Sequence, residues 1–118
     1  MQTLFDSISK NFQERRHIQT LMPKDGLTVV FHVENHKYLL TIGNSKLYFE
    51  EVLDSEFPFS IWLTKRAFME LLCGELQLMK LLKRDGWLVK GSFRNLLLLE
   101  SVLWLCRDYS SGEIDKTG

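Results

Sequence analysis

The chain has 118 residues, of which 45% are hydrophobic and 25% are charged, and this length and composition fit one globular domain. Fifteen Lys and Arg residues balance fifteen Asp and Glu residues, so the net charge favours neither nucleic acid nor an anionic membrane surface as a partner.

A helix and three strands are predicted in the first half of the chain. Apolar residues between Leu4 and Phe12 recur at a spacing of three to four, which predicts an amphipathic helix over residues 2–20. After Gly26 the apolar residues recur at every second position, the pattern of half-buried strands. The three predicted strands are LTVVFHV, KYLLTI and SKLYFEEV, joined as a meander.

The second half begins with a fourth predicted strand, FPFSIWLT, in which Trp62 is expected to lie on the face opposite the inner set. Thr64 can accept the N-cap hydrogen bond of a helix, KRAFMELLC, and Gly74 can close that helix. A short helix over about residues 77–83 and a last strand, WLVKG, are predicted next. Ser92 then caps a final helix, SFRNLLLLESVLWLCRDY.

This order of elements, α-β-β-β-β-α-α-β-α, predicts an α+β domain. The expected architecture is a single five-stranded mixed, mainly antiparallel sheet with helices packed on one face. We expect the domain to span residues 1–107 and residues 108–118 to form a flexible polar tail.

The segment from Gly74 to Cys106 contains more apolar side chains than helices can turn toward one core. Its most apolar part, residues 93–106, is too short to span a bilayer, which takes about twenty mostly apolar residues. The surplus apolar surface is therefore expected to face either a ligand cavity or a partner.

The second half also contains an ordered set of short motifs. An alternating strand precedes Thr64 and Phe68, Leu-Leu-Cys-Gly-Glu-Leu follows at residues 71–76, and a strand begun by Gly86 ends in Lys-Gly before a leucine-rich helix. In order and spacing these motifs resemble the sterol-carrier-protein type 2 lipid-binding domain family. The similarity extends over about residues 3–105.

The resemblance implies a five-stranded mixed sheet covered by helices, with a tunnel between the sheet and the helices that binds one apolar ligand. We therefore expect a non-enzymatic intracellular carrier of a fatty acyl chain or a similar lipid. Flexible thioethers suit such a site because they repack around ligands of different shape. The expected ligand-binding residues are Phe31, Phe49, Phe68, Leu72, Met79, Leu82, Trp87, Phe93, Leu97 and Trp104.

A second interpretation remains open for the final helix. Its apolar residues surround so much of the helix that some must face outward, and an exposed apolar stripe is typical of a contact surface. The alternative function is a dimerising accessory module that keeps the same fold, fills the cavity with its own side chains and forms a homodimer through this helix. A transient contact with a membrane is left open as well.

No cofactor, metal ion or catalytic residue is expected. His32 and His36 bracket a turn near Glu34, but a zinc site normally needs three or four converging ligands. Cys73 and Cys106 lie in apolar helical patterns, where thiols act as small buried hydrophobes. Together with an N-terminus that lacks the pattern of a secretory signal, they favour a cytoplasmic location.

Overall fold

The elements of the chain form one sheet with helices packed against it, as a computed structural model shows for residues 2–43, 45–53, 57–85 and 88–107. The expected tail, residues 108–118, lies outside the described residues. The elements are α1 (Gln2–Glu14), α2 (Arg16–Gln19), β1 (Leu27–Val33), β2 (His36–Ile42), β3 (Leu47–Val52), β4 (Ser60–Leu63), α3 (Lys65–Leu72), α4 (Leu78–Asp85), β5 (Val89–Lys90) and α5 (Phe93–Leu105).

The sheet has five strands in the order β3-β2-β1-β4-β5. β1 and β4 are parallel, with Phe31 paired to Ile61, and the other neighbouring strands are antiparallel. The α+β class and the mixed sheet are therefore confirmed. Alternation along β1 buries Leu27, Val29 and Phe31 on the face that the helices cover.

The predicted helix of residues 2–20 is two helices. The backbone leaves the helical conformation at Arg15 (φ −95°, ψ 80°), and α2 begins one residue later. This break lets the Arg15 side chain reach the end of α5, where its guanidinium donates hydrogen bonds to the carbonyl oxygens of Leu105 (2.7 Å) and Arg107 (2.8 Å). Periodicity alone does not reveal such a long-range contact.

Both predicted N-caps are confirmed. The Thr64 hydroxyl accepts a hydrogen bond from the Ala67 backbone N–H (3.2 Å), and the Ser92 hydroxyl accepts one from the Asn95 N–H (3.1 Å). Gly74 follows α3 with φ +73°, as the closing residue of the helix requires. The last strand is shorter than predicted, since β5 has only two residues.

The sheet face that the helices leave open is only partly polar. Trp62 lies on this face as predicted, and its ring stacks on the His32 imidazole with the ring centroids 4.3 Å apart. Val30, also on this face, is fully buried. Burial and the nearby Lys37 both lower the pKa of His32, with burial the larger cause.

A buried polar contact joins the first helix to the last. The Asn11 side-chain amide donates a hydrogen bond to the Cys106 carbonyl oxygen (2.9 Å), close to the two bonds from Arg15. The final carbonyls of a helix have no partner within the helix, so side chains of α1 supply them here. We call these three hydrogen bonds the α1–α5 clasp.

Substitution of Asn11 tests the clasp. Asn11→Ala removes one donor from a buried carbonyl, so the free energy of unfolding in urea should fall by about 1–3 kcal/mol. The control is Gln13→Ala on the exposed side of the same helix, which should change stability by less than about 0.5 kcal/mol. Equal losses in the two variants would contradict the role assigned to Asn11.

Candidate functional site

An aromatic cluster fills the space between α1, α3 and the first three strands. Phe68 of α3 lies at its centre, with ring centroids 5.0 Å from Phe31 and 5.6 Å from Tyr38. Phe5 of α1 stacks on Phe49 of β3 at 4.3 Å. Rings at these separations are in van der Waals contact, so helices and sheet interdigitate at this end of the core.

The core beneath α4 and α5 is aliphatic. Leu78 and Leu81 of α4 are fully buried, as are Leu99 and Val102 of α5. Around this aliphatic part, several apolar side chains pack on the core yet stay partly exposed. They are Leu76, Met79, Leu82, Val89, Leu98 and Leu105.

The residues expected from sequence to bind a ligand fall into different environments. Phe31, Phe68 and Leu72 are buried in the core, whereas Trp87 lies outside the described residues. Those at the edge of the core are Phe49, Met79, Leu82 and Trp104. Trp104 is further covered by the Arg107 guanidinium, which lies 3.9 Å from the centroid of the indole ring.

Phe93 and Leu97 are not brought to the interior. They are 63% and 39% exposed, one helical turn apart on the outward side of α5. A helix can direct only part of its circumference at the core, and in α5 that part is occupied by Leu96, Leu99 and neighbouring buried residues. We therefore leave Phe93 and Leu97 out of the candidate site.

A groove runs between α5 and the loop that follows α2. It encloses about 570 Å³, within the size range of small-molecule sites. Its lining is Leu21, Met22, Pro23, Arg94, Asn95 and Leu98. We call this space the α5 groove.

The polar side chains that line the α5 groove, Arg94 and Asn95, both belong to α5. Within the described residues, the side chains of Arg94 and Asn95 make no hydrogen bond or ion pair with the protein. Arg94 also lies in the first turn of α5, where the unsatisfied N–H groups already carry partial positive charge. The positive charge of Arg94 is repelled by this helix end and so does not stabilise the helix. The Arg94 guanidinium and the N-terminus of α5 together favour the binding of an anion.

Sequence reasoning missed the α5 groove. None of its lining residues is among the expected ligand-binding residues. The available signal was the pair Leu21 and Met22, two apolar residues beyond the last turn of the predicted helix. Met22 joins the core while Leu21 stays 45% exposed.

Several of the solved structures with a similar fold are sterol carrier proteins. A crystal structure of sterol carrier protein 2 matches with a TM-score of 0.64 at 14% identity, over 92% of this chain and 96% of that one. A UbiJ-SCP2 ubiquinone synthesis protein matches with a TM-score of 0.63 at 10% identity, over 88% and 85% of the two chains.

A third match is sterol carrier protein 2 from Aedes aegypti, solved by NMR in complex with palmitate. Its TM-score is 0.57 at 14% identity, and the match covers 86% of this chain and 96% of that chain. The chain has the fold of sterol carrier protein 2. No model of a protein family matches the sequence, and no curated protein matches it either, so the likeness is one of structure.

On this sterol carrier protein 2 fold, the two histidines of the β1–β2 hairpin do not converge. His32 stacks on Trp62 on the open face, whereas the His36 Nδ1 atom lies 2.7 Å from the Glu51 carboxylate at the rim of the helical face. Within the described ranges, no group of three or more His, Cys, Asp or Glu side chains could hold a metal ion.

A small cavity of about 190 Å³ lies at the tip of the same hairpin, next to the N-terminus of α3. The Glu34 carboxylate accepts a hydrogen bond from the Lys65 backbone N–H there (2.9 Å). Burial and the charge of Glu51 raise the pKa of the Tyr38 hydroxyl, with burial the larger cause. The Glu34 carboxylate thus has a protein partner at the edge of this cavity.

The cysteines differ from the expectation that both are buried. Cys73 is exposed after α3, whereas Cys106 is buried beneath α1. Burial raises the pKa of the Cys106 thiol to about 12, although the Arg15 guanidinium acts in the opposite direction. The Cys106 thiol is therefore not a nucleophile at neutral pH.

The aromatic cluster can be tested through its central ring. Phe68→Ala removes a fully buried side chain, so the free energy of unfolding should fall by about 3–5 kcal/mol. The control Tyr48→Ala, at an exposed ring on the open face of the sheet, should change it by less than about 0.5 kcal/mol. Urea denaturation measures both, and a loss below about 1 kcal/mol at Phe68 would show a loosely packed cluster.

Proposed function

We propose that this protein binds and carries a lipid with a long apolar chain and a carboxylate head group, such as a fatty acid. The observation that carries the proposal is the α5 groove, which joins an apolar lining to two polar side chains without a partner in the described protein. Most ligand sites have this composition, a largely apolar surface with a few polar groups that fix orientation.

The head group would bind at Arg94 and Asn95. A guanidinium can donate two parallel hydrogen bonds to one carboxylate, and the Asn95 amide can donate a further one. The first turn of α5 adds favourable partial charge and has no acidic residue to compete. This geometry selects an anionic head over a neutral one.

The acyl chain would lie against Leu21, Met22, Pro23 and Leu98. From there we propose that it enters a tunnel between α5 and the sheet, next to the partly exposed Met79 and Leu82. Each methylene removed from water contributes about 0.8 kcal/mol, so a dozen carbons would contribute about 10 kcal/mol before the costs of association.

The two ends of the core would then have different roles. The aromatic cluster around Phe68 is tightly interdigitated and would act as the closed wall of the tunnel, with Phe31 and Leu72 beside it. The α1–α5 clasp fixes the C-terminal end of α5, whereas the groove borders its N-terminal half. We therefore propose that the N-terminal half of α5 moves when an acyl chain enters the tunnel.

The comparisons support the proposal. The Aedes aegypti protein of the same fold was solved with palmitate bound. We further propose that carriage is non-enzymatic and takes place in the cytoplasm, a reducing compartment in which a solvent-exposed thiol such as that of Cys73 stays reduced.

The dimerising accessory module remains the second candidate. It is favoured by the packed aromatic cluster and by the exposed Phe93 and Leu97 on α5. Native mass spectrometry of the purified protein separates the two functions, because the carrier gives one chain with a lipid and the module gives an empty dimer.

The head-group site predicts a loss of selectivity in one variant. Arg94→Gln should weaken palmitate binding about two- to fivefold, the modest effect of an exposed charge pair, and leave hexadecanol binding unchanged. Titration of each ligand against a fluorescent fatty acid measures both affinities. The matched control is Arg66→Gln, at an exposed arginine of α3. Equal weakening of palmitate and hexadecanol binding would place the head group elsewhere.

The proposed contact between the acyl chain and the α5 groove predicts a variant with lower affinity for both palmitate and hexadecanol. Leu98→Gln puts a polar amide against the groove, so palmitate and hexadecanol should each bind about tenfold more weakly. Ser101→Gln, on the outward side of the same helix, should leave both affinities unchanged. Circular dichroism checks that each variant is folded, and unchanged binding in folded Leu98→Gln would remove the α5 groove from the site.

A further inference from the structure

The zero net charge of the chain conceals a separation of charge. Residues 78–107 contain six Lys and Arg residues and two acidic residues. Residues 34–56 have the opposite balance, with five acidic and two basic residues. The segment that contains α4 and α5 therefore has a net positive charge, and we call its surface the positive side of the molecule.

The positive side also exposes large apolar groups. Phe93 and Leu97 lie one turn apart on the outward side of α5, with the exposed Arg94 beside them. α4 packs next to α5, where the Met79 backbone N–H donates a hydrogen bond to the Glu100 carboxylate (2.8 Å).

The exposed cations of α4 are Lys80, Lys83 and Arg84, of which Arg84 is paired with Glu70 of α3. Like Arg94, the Lys80 and Lys83 side chains have no ion pair or hydrogen bond within the described ranges. We name the surface formed by Phe93, Leu97, Arg94, Lys80 and Lys83 the α4–α5 face.

We propose that the α4–α5 face docks on the surface of an anionic lipid bilayer. Helices that lie in a membrane interface combine aromatic and leucine side chains with flanking Lys and Arg, and this face has both. The apolar side chains would enter the head-group region while the cations contact lipid phosphates and carboxylates. None of the helices in the described part of the chain could cross the membrane, so docking would be peripheral and reversible.

Charge argues against a second copy of the chain as the occupant of this face. A two-fold dimer apposes the same patch on both subunits. The cations Lys80, Lys83 and Arg94 would then face like charges, whereas an anionic bilayer complements them.

Docking would place the α5 groove at the membrane, because Arg94 borders both the groove and the α4–α5 face. A fatty acid leaving the bilayer could then enter the groove without crossing bulk water. Arg94 is shared with the proposed head-group site, whereas Phe93, Leu97, Lys80 and Lys83 lie outside the groove lining, so these four residues test docking separately from ligand binding.

The test is sedimentation of ligand-free protein with vesicles. The protein should bind vesicles that contain phosphatidylserine and phosphatidylcholine in equal shares, should not bind vesicles of phosphatidylcholine alone, and should dissociate as salt is raised. The charge variant Lys80→Glu/Lys83→Glu and the apolar variant Phe93→Ser/Leu97→Ser should each reduce the partition coefficient about tenfold or more.

The control Lys10→Glu/Lys46→Glu makes the same change in net charge at exposed lysines away from the α4–α5 face, and it should keep vesicle binding. Three results would overturn the proposal: absence of binding to the anionic vesicles, equal losses in the control and the charge variant, or sedimentation of the free protein as a dimer that Phe93→Ser/Leu97→Ser dissociates. Palmitate binding is measured in parallel, and the vesicle variants should retain it. A failure of docking is thereby distinguished from a failure of lipid binding.

Discussion

The α1–α5 clasp is the contact on which the arrangement of the helical layer depends. Asn11 and Arg15 bring the first helix to the last carbonyls of α5, ninety or more positions away. The helix breaks at Arg15, and the contact holds the C-terminal end of α5, while the N-terminal half of α5 carries the polar groups of the groove.

The surplus of apolar side chains between Gly74 and Cys106 is divided among three environments. Leu78, Leu81 and Leu99 complete the core, and Leu98 lines the groove. The remaining large groups, Phe93 among them, lie exposed next to lysines and arginines. The apolar excess is therefore divided among the core, the groove and an exposed surface of α5.

Sequence patterns predicted the fold well because its signals are local. Alternation identified the strands, and the hydroxyls of Thr64 and Ser92 marked the starts of two helices. The site was predicted less completely. The apolar residues of α5 surround the helix, so periodicity could not decide which of them face inward, and Phe93 was placed among the ligand contacts although it is exposed. The α5 groove joins segments about seventy positions apart, a distance at which no local pattern acts.

The position of β3 at the border of the sheet has a consequence for how the protein behaves in concentrated solution. Glu50 and Glu51 are exposed along this outermost strand, whose outer backbone groups face no other strand of the described residues. A further strand from another molecule would bring its own pair of glutamates alongside this pair, and the repulsion opposes such growth. The molecule can thus present apolar side chains on its helical side while its sheet resists the stacking that leads to fibres.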